Sequence, residues 1–210
     1  MNKYFKLALA ALVLPVAANA GTGLTSVTGT SVHPNADNQD HSLGWAFTTT
    51  GIGVAALGYN DFGFSRAHNV GIYNAGGTLL ASASVNGAST LSNGYRYANL
   101  GSTVNLAAGT YYLVGTTLGL NDGWIFQAAG FTTDPAITYA GSFFTSGTGG
   151  TLAFPGQSAS SRQYLLTNFS TTAFGGAVPE PATWALLILG MGVVGAAMRS
   201  SRQGETRFAF

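Results

Sequence analysis

The sequence predicts an all-β protein, a two-sheet sandwich over residues 21–175, held between an apolar N-terminus and an apolar C-terminal segment. Three observations predict it. Residues 21–178 are built of short runs of alternating apolar residues broken by Gly, Asn, Ser and Pro, the pattern of half-buried strands. Roughly nine or ten such runs in about 150 residues suit two packed sheets. No long helical period and no repeat at fixed spacing is present there, which argues against a bundle, a propeller or a solenoid.

At the start of the chain, MNKYFKLALAALVLPVAANA places Lys3 and Lys6 before an apolar run from Leu7 to Val16. Ala18-Asn19-Ala20 then supplies the small-x-small pattern that signal peptidase accepts. Residues 1–20 are therefore expected to be a signal peptide, cut between Ala20 and Gly21, and the rest of the chain to be exported. Cysteine is absent, which excludes disulfides, thiol catalysis and thiolate metal sites. A domain of this length buries a core without crosslinks.

Strands are expected at 43–48, 53–58, 68–73, 78–85, 103–106, 109–117, 123–129, 137–140 and 164–169. In the fourth run Leu79, Ala81, Ala83 and Val85 alternate onto one face. Asn74-Ala75-Gly76-Gly77 joins it to the third run as a hairpin, because glycine accepts the positive φ of a tight turn.

The pieces Ser42-Leu-Gly-Trp-Ala-Phe47, Val54-Ala-Ala-Leu-Gly-Tyr59, His68-Asn-Val-Gly-Ile-Tyr-Asn74, Gly77-Thr-Leu-Leu-Ala81 and Leu106-Ala-Ala-Gly-Thr-Tyr-Tyr112 follow one another along the chain. Over roughly residues 40–140 this series resembles the domains of unknown function common in exported bacterial β-sandwich proteins. The resemblance implies a jelly-roll-like fold similar to carbohydrate-binding modules, and it carries no activity.

Charged residues make up 7% of the 210-residue chain, against about 25% in a typical soluble protein. Between Gly21 and Val178 the charges are Asp37, Asp40, Asp61, Asp122, Asp134, Arg66, Arg96 and Arg162 alone. No cluster of cations is available to displace counterions from phosphates, so nucleic acid is excluded as a partner. The same scarcity weakens catalytic readings. A carboxylate pair for glycoside hydrolysis is not signalled. His33, His41 and His68 have no G-x-S-x-G elbow to serve. No enzyme and no cofactor is expected.

Asn35, Asp37, Asn38 and Asp40 crowd one short loop between His33 and His41. Oxygen ligands of that kind suit Ca²⁺, with Asp37 and Asp40 the candidates, but EF-hand spacing and a terminal Glu are missing. A solvated loop with Asx-turns is the simpler reading, and no metal site is expected. Trp45, Tyr59, Tyr73, Tyr95, Tyr97, Tyr111, Tyr112 and Trp124 could stack on sugars or fill the sandwich core.

At the far end, Ala182 to Met198 reads ATWALLILGMGVVGAAM, followed by Arg199 and Arg202. As a helix it would span ~26 Å, near the lower limit for crossing a bilayer. Trp184 suits the headgroup zone at the outer end, and Arg199 and Arg202 favour the cytoplasm at the other. Residues 182–198 are expected to be a transmembrane helix, with residues 21–178 outside the inner membrane.

Val178-Pro179-Glu180-Pro181-Ala182-Thr183-Trp184-Ala185, then an apolar run and arginines, resembles the PEP-CTERM sorting domain in its Pro-Glu-Pro-x-x-Trp-Ala variety. That resemblance covers residues 176–210. It implies an exosortase-like membrane protease that reads Pro179, Glu180 and Pro181, with Trp184 and Ala185 completing the motif. The precursor would sit in the inner membrane before the protein reaches the cell surface or the medium. Both prolines keep the tripeptide out of a helix, so extended backbone is offered to a protease at the membrane surface. Two functions are then expected to compete. One is a non-catalytic surface or matrix component associated with exopolysaccharide or biofilm. The other is a secreted polysaccharide hydrolase.

Overall fold

The computed structural model describes residues 21–29, 31–34, 38–62, 66–119, 122–160, 162–174, 189–194 and 199. Residues 1–174 and 175–210 form separate compact units. The first is all-β, with β1 (Leu24–Thr28), β2 (Ser31–Pro34), β3 (His41–Asn60), β4 (His68–Asn74), β5 (Leu79–Val85), β6 (Thr90–Ser92), β7 (Tyr95–Thr117), β8 (Gly123–Gln127), β9 (Gly130–Thr133), β10 (Ile137–Ser146), β11 (Gln157–Ala159) and β12 (Thr167–Ser170).

One long antiparallel ladder organises the sandwich. β3 and β7 pair from His41↔Thr117 to Asn60↔Tyr95, and both strands turn the corner between the layers. At the corner Gly51 takes a φ of 143°, a conformation that side chains rarely adopt. Val54 pairs with Val104 while Ala56 pairs with Asn99, so β7 accommodates residues 100–103 as a bulge that sharpens the bend. The sequence reads as strands at 43–48 and 53–58, and again at 103–106 and 109–117. In the structure each pair is a single bent strand, because backbone pairing continues through the polar, glycine-bearing corner.

The first half of β3 lies in the layer ordered β11-β10-β3-β7-β4-β5, and its second half pairs with β12, while β6 pairs with the start of β7. The layers meet through β12. Trp45 Nε1 donates to the Thr167 carbonyl (2.9 Å), Thr167 Oγ1 donates to the Leu113 carbonyl (3.2 Å), and the Phe169 ring packs on Trp45 and Phe47. Gly115 is small for a reason: a Cβ there would lie 2.8 Å from both Thr167 Cγ2 and the Tyr59 ring.

Two short ladders, β1–β9 and β2–β8, add Leu24, Trp124 and Ile125 to the same apolar cluster. Outside the large layer a strap of residues 151–155 crosses the sheet. Ala153 N donates to Ser42 Oγ (3.0 Å), and Phe154 packs on Tyr112 and Tyr73.

The β4–β5 hairpin forms as expected, with Gly77 at φ 80° and Asn74 Oδ1 accepting from the Gly76 and Thr78 amides. Its strand faces differ from the simple alternation. Ile72 pairs with Ala81 but Tyr73 pairs with Leu79, so the bulge at Leu80 turns Leu79 to the other face, where it meets Leu152 over Gly71. β1, β2, β6, β9 and β11 carry no apolar alternation strong enough to read as strands; partners on other strands fix them.

In the second unit, residues 189–194 and 199 are helical. Among the described residues no helix is long and apolar enough to cross a membrane.

Candidate functional site

β10 carries a bulge between Tyr139 and Ser142, with Gly141 at φ 112°. Bulges re-aim side chains, and beside this one a pocket of about 480 Å³ opens. Its wall is formed by Tyr139 and Ser142 of β10, Gln127 at the end of β8, Ser160 after β11, and Arg162 and Gln163 of the approach to β12.

Most of the wall is held in place by its own bonds. Tyr139 OH and Ser142 Oγ lie 2.8 Å apart, the Tyr164 amide donates to Ser142 Oγ (2.8 Å), and the Ala128 amide donates to Gln163 Oε1 (3.2 Å). The Tyr139 ring stacks beside Trp45 and meets Phe131 edge-on at 5.0 Å. Partial burial raises the Tyr139 pKa above its ordinary value, with the bond to Ser142 opposing, so the phenol is protonated at neutral pH. The pocket thus presents one guanidinium, two carboxamides, hydroxyl groups and one aromatic ring. No carboxylate is among its lining residues.

A second polar cluster sits at the end of the sandwich where β3 and β4 begin and β7 finishes. His68 Nδ1 is 2.8 Å from the Thr116 carbonyl; a carbonyl only accepts, so that nitrogen carries the proton. Asp122 Oδ2 lies 3.8 Å from the same nitrogen and accepts from the Leu118 amide. The Tyr59 ring stacks on the imidazole at 4.1 Å. Burial lowers the His68 pKa, against the opposing pull of the Thr116 carbonyl and Asp122, with Arg66 lowering it further. His41 Nδ1 pairs with Ser146 Oγ (2.9 Å), and its ring meets Trp124 edge-on. His41, His68 and Asp122 are each buried, about 5–6% exposed, so among the described residues this end is a packed polar network.

Sequence reasoning left the large aromatics open between sugar platform and core. Trp45, Tyr59, Tyr73, Tyr95, Tyr97, Tyr111 and Trp124 are buried, and Tyr112 is covered by Phe143 and Phe154. Tyr139, Gln127, Arg162 and Gln163 were not singled out, because a pocket assembled from four separate segments leaves no local signature.

Of the loop candidates, Asp37 lies outside the described residues. Asp40 holds the chain through its backbone, its carbonyl accepting from Gly147 N and Thr148 N. Among the described residues no group of three His, Asp or Glu could hold a metal ion. Gly21 is described and docked: its carbonyl accepts from Thr171 N (2.8 Å) and Thr171 Oγ1 (3.1 Å). Ala18, Ala20, Pro179, Glu180, Pro181, Trp184, Ala185, Ala182 and Met198 lie outside the described residues. Arg199 is helical.

A β-sandwich with a sorting tail is the class these features define. The PEP-CTERM protein-sorting motif matches residues 177–203. A tail of this kind implies export, a membrane-anchored precursor, processing by an exosortase-like membrane protein and then association with the surface. The sandwich is matched over residues 26–166 by the family described as Domain of unknown function (DUF4082), and the chain belongs to that family. No curated protein and no solved structure matches the chain.

Proposed function

We propose that this chain is a non-catalytic surface or matrix protein that binds polysaccharide through the β10 pocket, in the setting of exopolysaccharide or biofilm. The pocket's chemistry carries this reading. Carboxamides and a guanidinium are planar hydrogen-bonding groups that match vicinal hydroxyls, and a tyrosine ring offers an apolar face to a sugar. Glycoside hydrolysis would ask for a carboxylate pair across the bond, which the pocket's chemistry does not favour.

Delivery follows in three parts. Signal peptidase removes residues 1–20, leaving Gly21 first; the docking of Gly21 onto Thr171 is consistent with a domain that is folded from its first exported residue. Residues 21–175 fold as the exported domain. Residues 176–210 form the sorting signal, in which the 182–198 helix holds the precursor in the inner membrane while an exosortase-like protease reads Pro179-Glu180-Pro181.

Incubating the exported chain with the host's own exopolysaccharide tests the binding role. Retention without cleavage is expected, weakened by Gln127→Ala combined with Arg162→Ala. Release of oligosaccharide products would instead establish a hydrolase, and absence of retention would remove the binding role.

A further inference from the structure

The two layers of the sandwich end in four strand edges, and three of these are blunted. β11 and β6 are only three residues long. The outer edge of β12 is covered by the N-terminal segment, through the Thr22–Ser170 bridge and the bond from Gly23 N to the Phe169 carbonyl. The fourth edge is β5, which pairs with β4 on one side and, among the described residues, ends the sheet on the other. The two small ladders offer little beside it: β1 and β2 are irregular in register, and β2 finishes on Pro34.

An open edge presents a row of N–H and C=O groups that template another strand, and proteins ordinarily shorten, cover or charge it. Among the described residues β5 has none of these protections. It reads Leu79-Leu80-Ala81-Ser82-Ala83-Ser84-Val85, without charge and without proline. The bulge at Leu80 disturbs only its head, and Ala81 to Val85 stay in regular register with β4. Leu79 and Leu80, at that head, are 44% and 38% exposed.

We propose that β5 pairs antiparallel with β5 of a second copy of this chain, continuing the large sheet across a two-fold axis. The occupant of such an edge has to be an extended strand, and β5 meets the requirements of its own copy. A two-fold interface sets one patch against itself, so it must be self-complementary. Alternating Ala and Ser place small uncharged side chains opposite one another, with none of the like-charge pairs that disfavour cross-strand contact. The sandwich adds little long-range repulsion, since residues 21–174 carry five aspartates and three arginines. This self-pairing is independent of the saccharide-binding role.

The chain has no cysteine, so single introduced cysteines report the pairing cleanly. Ala81→Cys, Ser82→Cys, Ala83→Cys and Ser84→Cys are made one at a time in the full chain. Ser158→Cys, exposed on the short β11 edge, serves as the control. Whole cells of an exporting host are treated with a mild oxidant. Residues facing their own copy across the axis lie about 4.5–5.5 Å apart at Cα, within disulfide reach. The expected result is a product of twice the chain mass at one β5 position and its neighbours, several-fold above the control. Ser84→Lys, or Ser82→Lys where the cysteine stands at 84, places a charge at an exposed β5 position and should remove that product while the exported amount stays unchanged. Doubled product no greater than the control at all four positions would overturn the proposal. So would a crosslink to a protein of different mass, or a yield indifferent to the lysine.

Discussion

Replacing Asn168 by alanine tests how the N-terminal segment is held to the sandwich. Asn168 is fully buried in β12. Its Oδ1 accepts from Leu24 N (2.8 Å) and Phe169 N (2.9 Å), and its Nδ2 donates to the Leu24 carbonyl (2.9 Å). In Asn168→Ala the Leu24 carbonyl keeps the Thr22 hydroxyl (2.8 Å), while the two N–H groups lose this acceptor. A buried donor left without a partner costs about 1–3 kcal/mol, so about 2–4 kcal/mol is expected after partial relaxation. For a domain of this size each kcal/mol moves Tm by about 2–4 °C, which puts the fall at roughly 5–15 °C. The assay is thermal melting of a fragment from Gly21 to Phe174, joined to hydrogen exchange at residues 22–24. Exchange there should quicken more than in the β3–β7 ladder, because Asn168 is the clamp on that segment. A Tm change under about 2 °C, worth less than ~1 kcal/mol, would refute the reasoning. Unchanged exchange at residues 22–24 would do the same.

Glu180→Ala should leave span and topology intact and cause uncut precursor to collect in the inner membrane, whereas an arginine at Leu187 should weaken insertion by about 2.5–3.5 kcal/mol and send precursor to the periplasm. Identical size and fractionation of wild-type and Glu180→Ala chains in a host with the processing enzyme would count against sorting at this tripeptide. Burial holds His68 below the 6.5 of a free imidazole, so between its folded pKa and 6.5 the unfolded chain binds more protons and stability falls as pH drops. His68→Gln should flatten that slope in denaturant melts run from pH 7.5 downward; a slope that survives would place the titrating group elsewhere. Gly115→Ala forces a methyl against Tyr59 and Thr167, each 2.8 Å away, and should cost about 1–3 kcal/mol by overpacking. Chemical denaturation measures it, and a neutral result would mean the layers separate more easily than their packing implies.

The reading of the fold from sequence succeeded where local chemistry speaks for itself and failed where the answer lay across the chain. The 68–85 hairpin was legible because Asn74 and Gly77 do their work within four residues of each other. The apparent breaks at 49–52 and 107–108 were misleading, since Thr50, Gly51 and Gly109 mark a corner that a paired strand passes through. Leu79 was set on the wrong face because a bulge leaves no mark in a run of alternating apolar residues. Among the aromatics, composition supplied the side chains, but only the second layer decided that nearly all of them are core.

By itself the sequence determined the chain's sorting tail and its class. Pro-Glu-Pro before an apolar span and arginines is a linear signal, because two prolines keep that stretch extended wherever the rest of the chain folds. It also determined that the domain is β, through short apolar alternation and the scarcity of charge. Tertiary structure alone decided which strand ends the large sheet among the described residues and where the pocket forms. Gln127, Tyr139, Ser160 and Arg162 share a wall because β8, β10 and the segment after β11 are brought side by side. Residues 21–24 cover β12 across more than 140 positions of sequence, through Asn168. Such pairings are stabilised only once both layers exist, so no local stretch of the chain carries them.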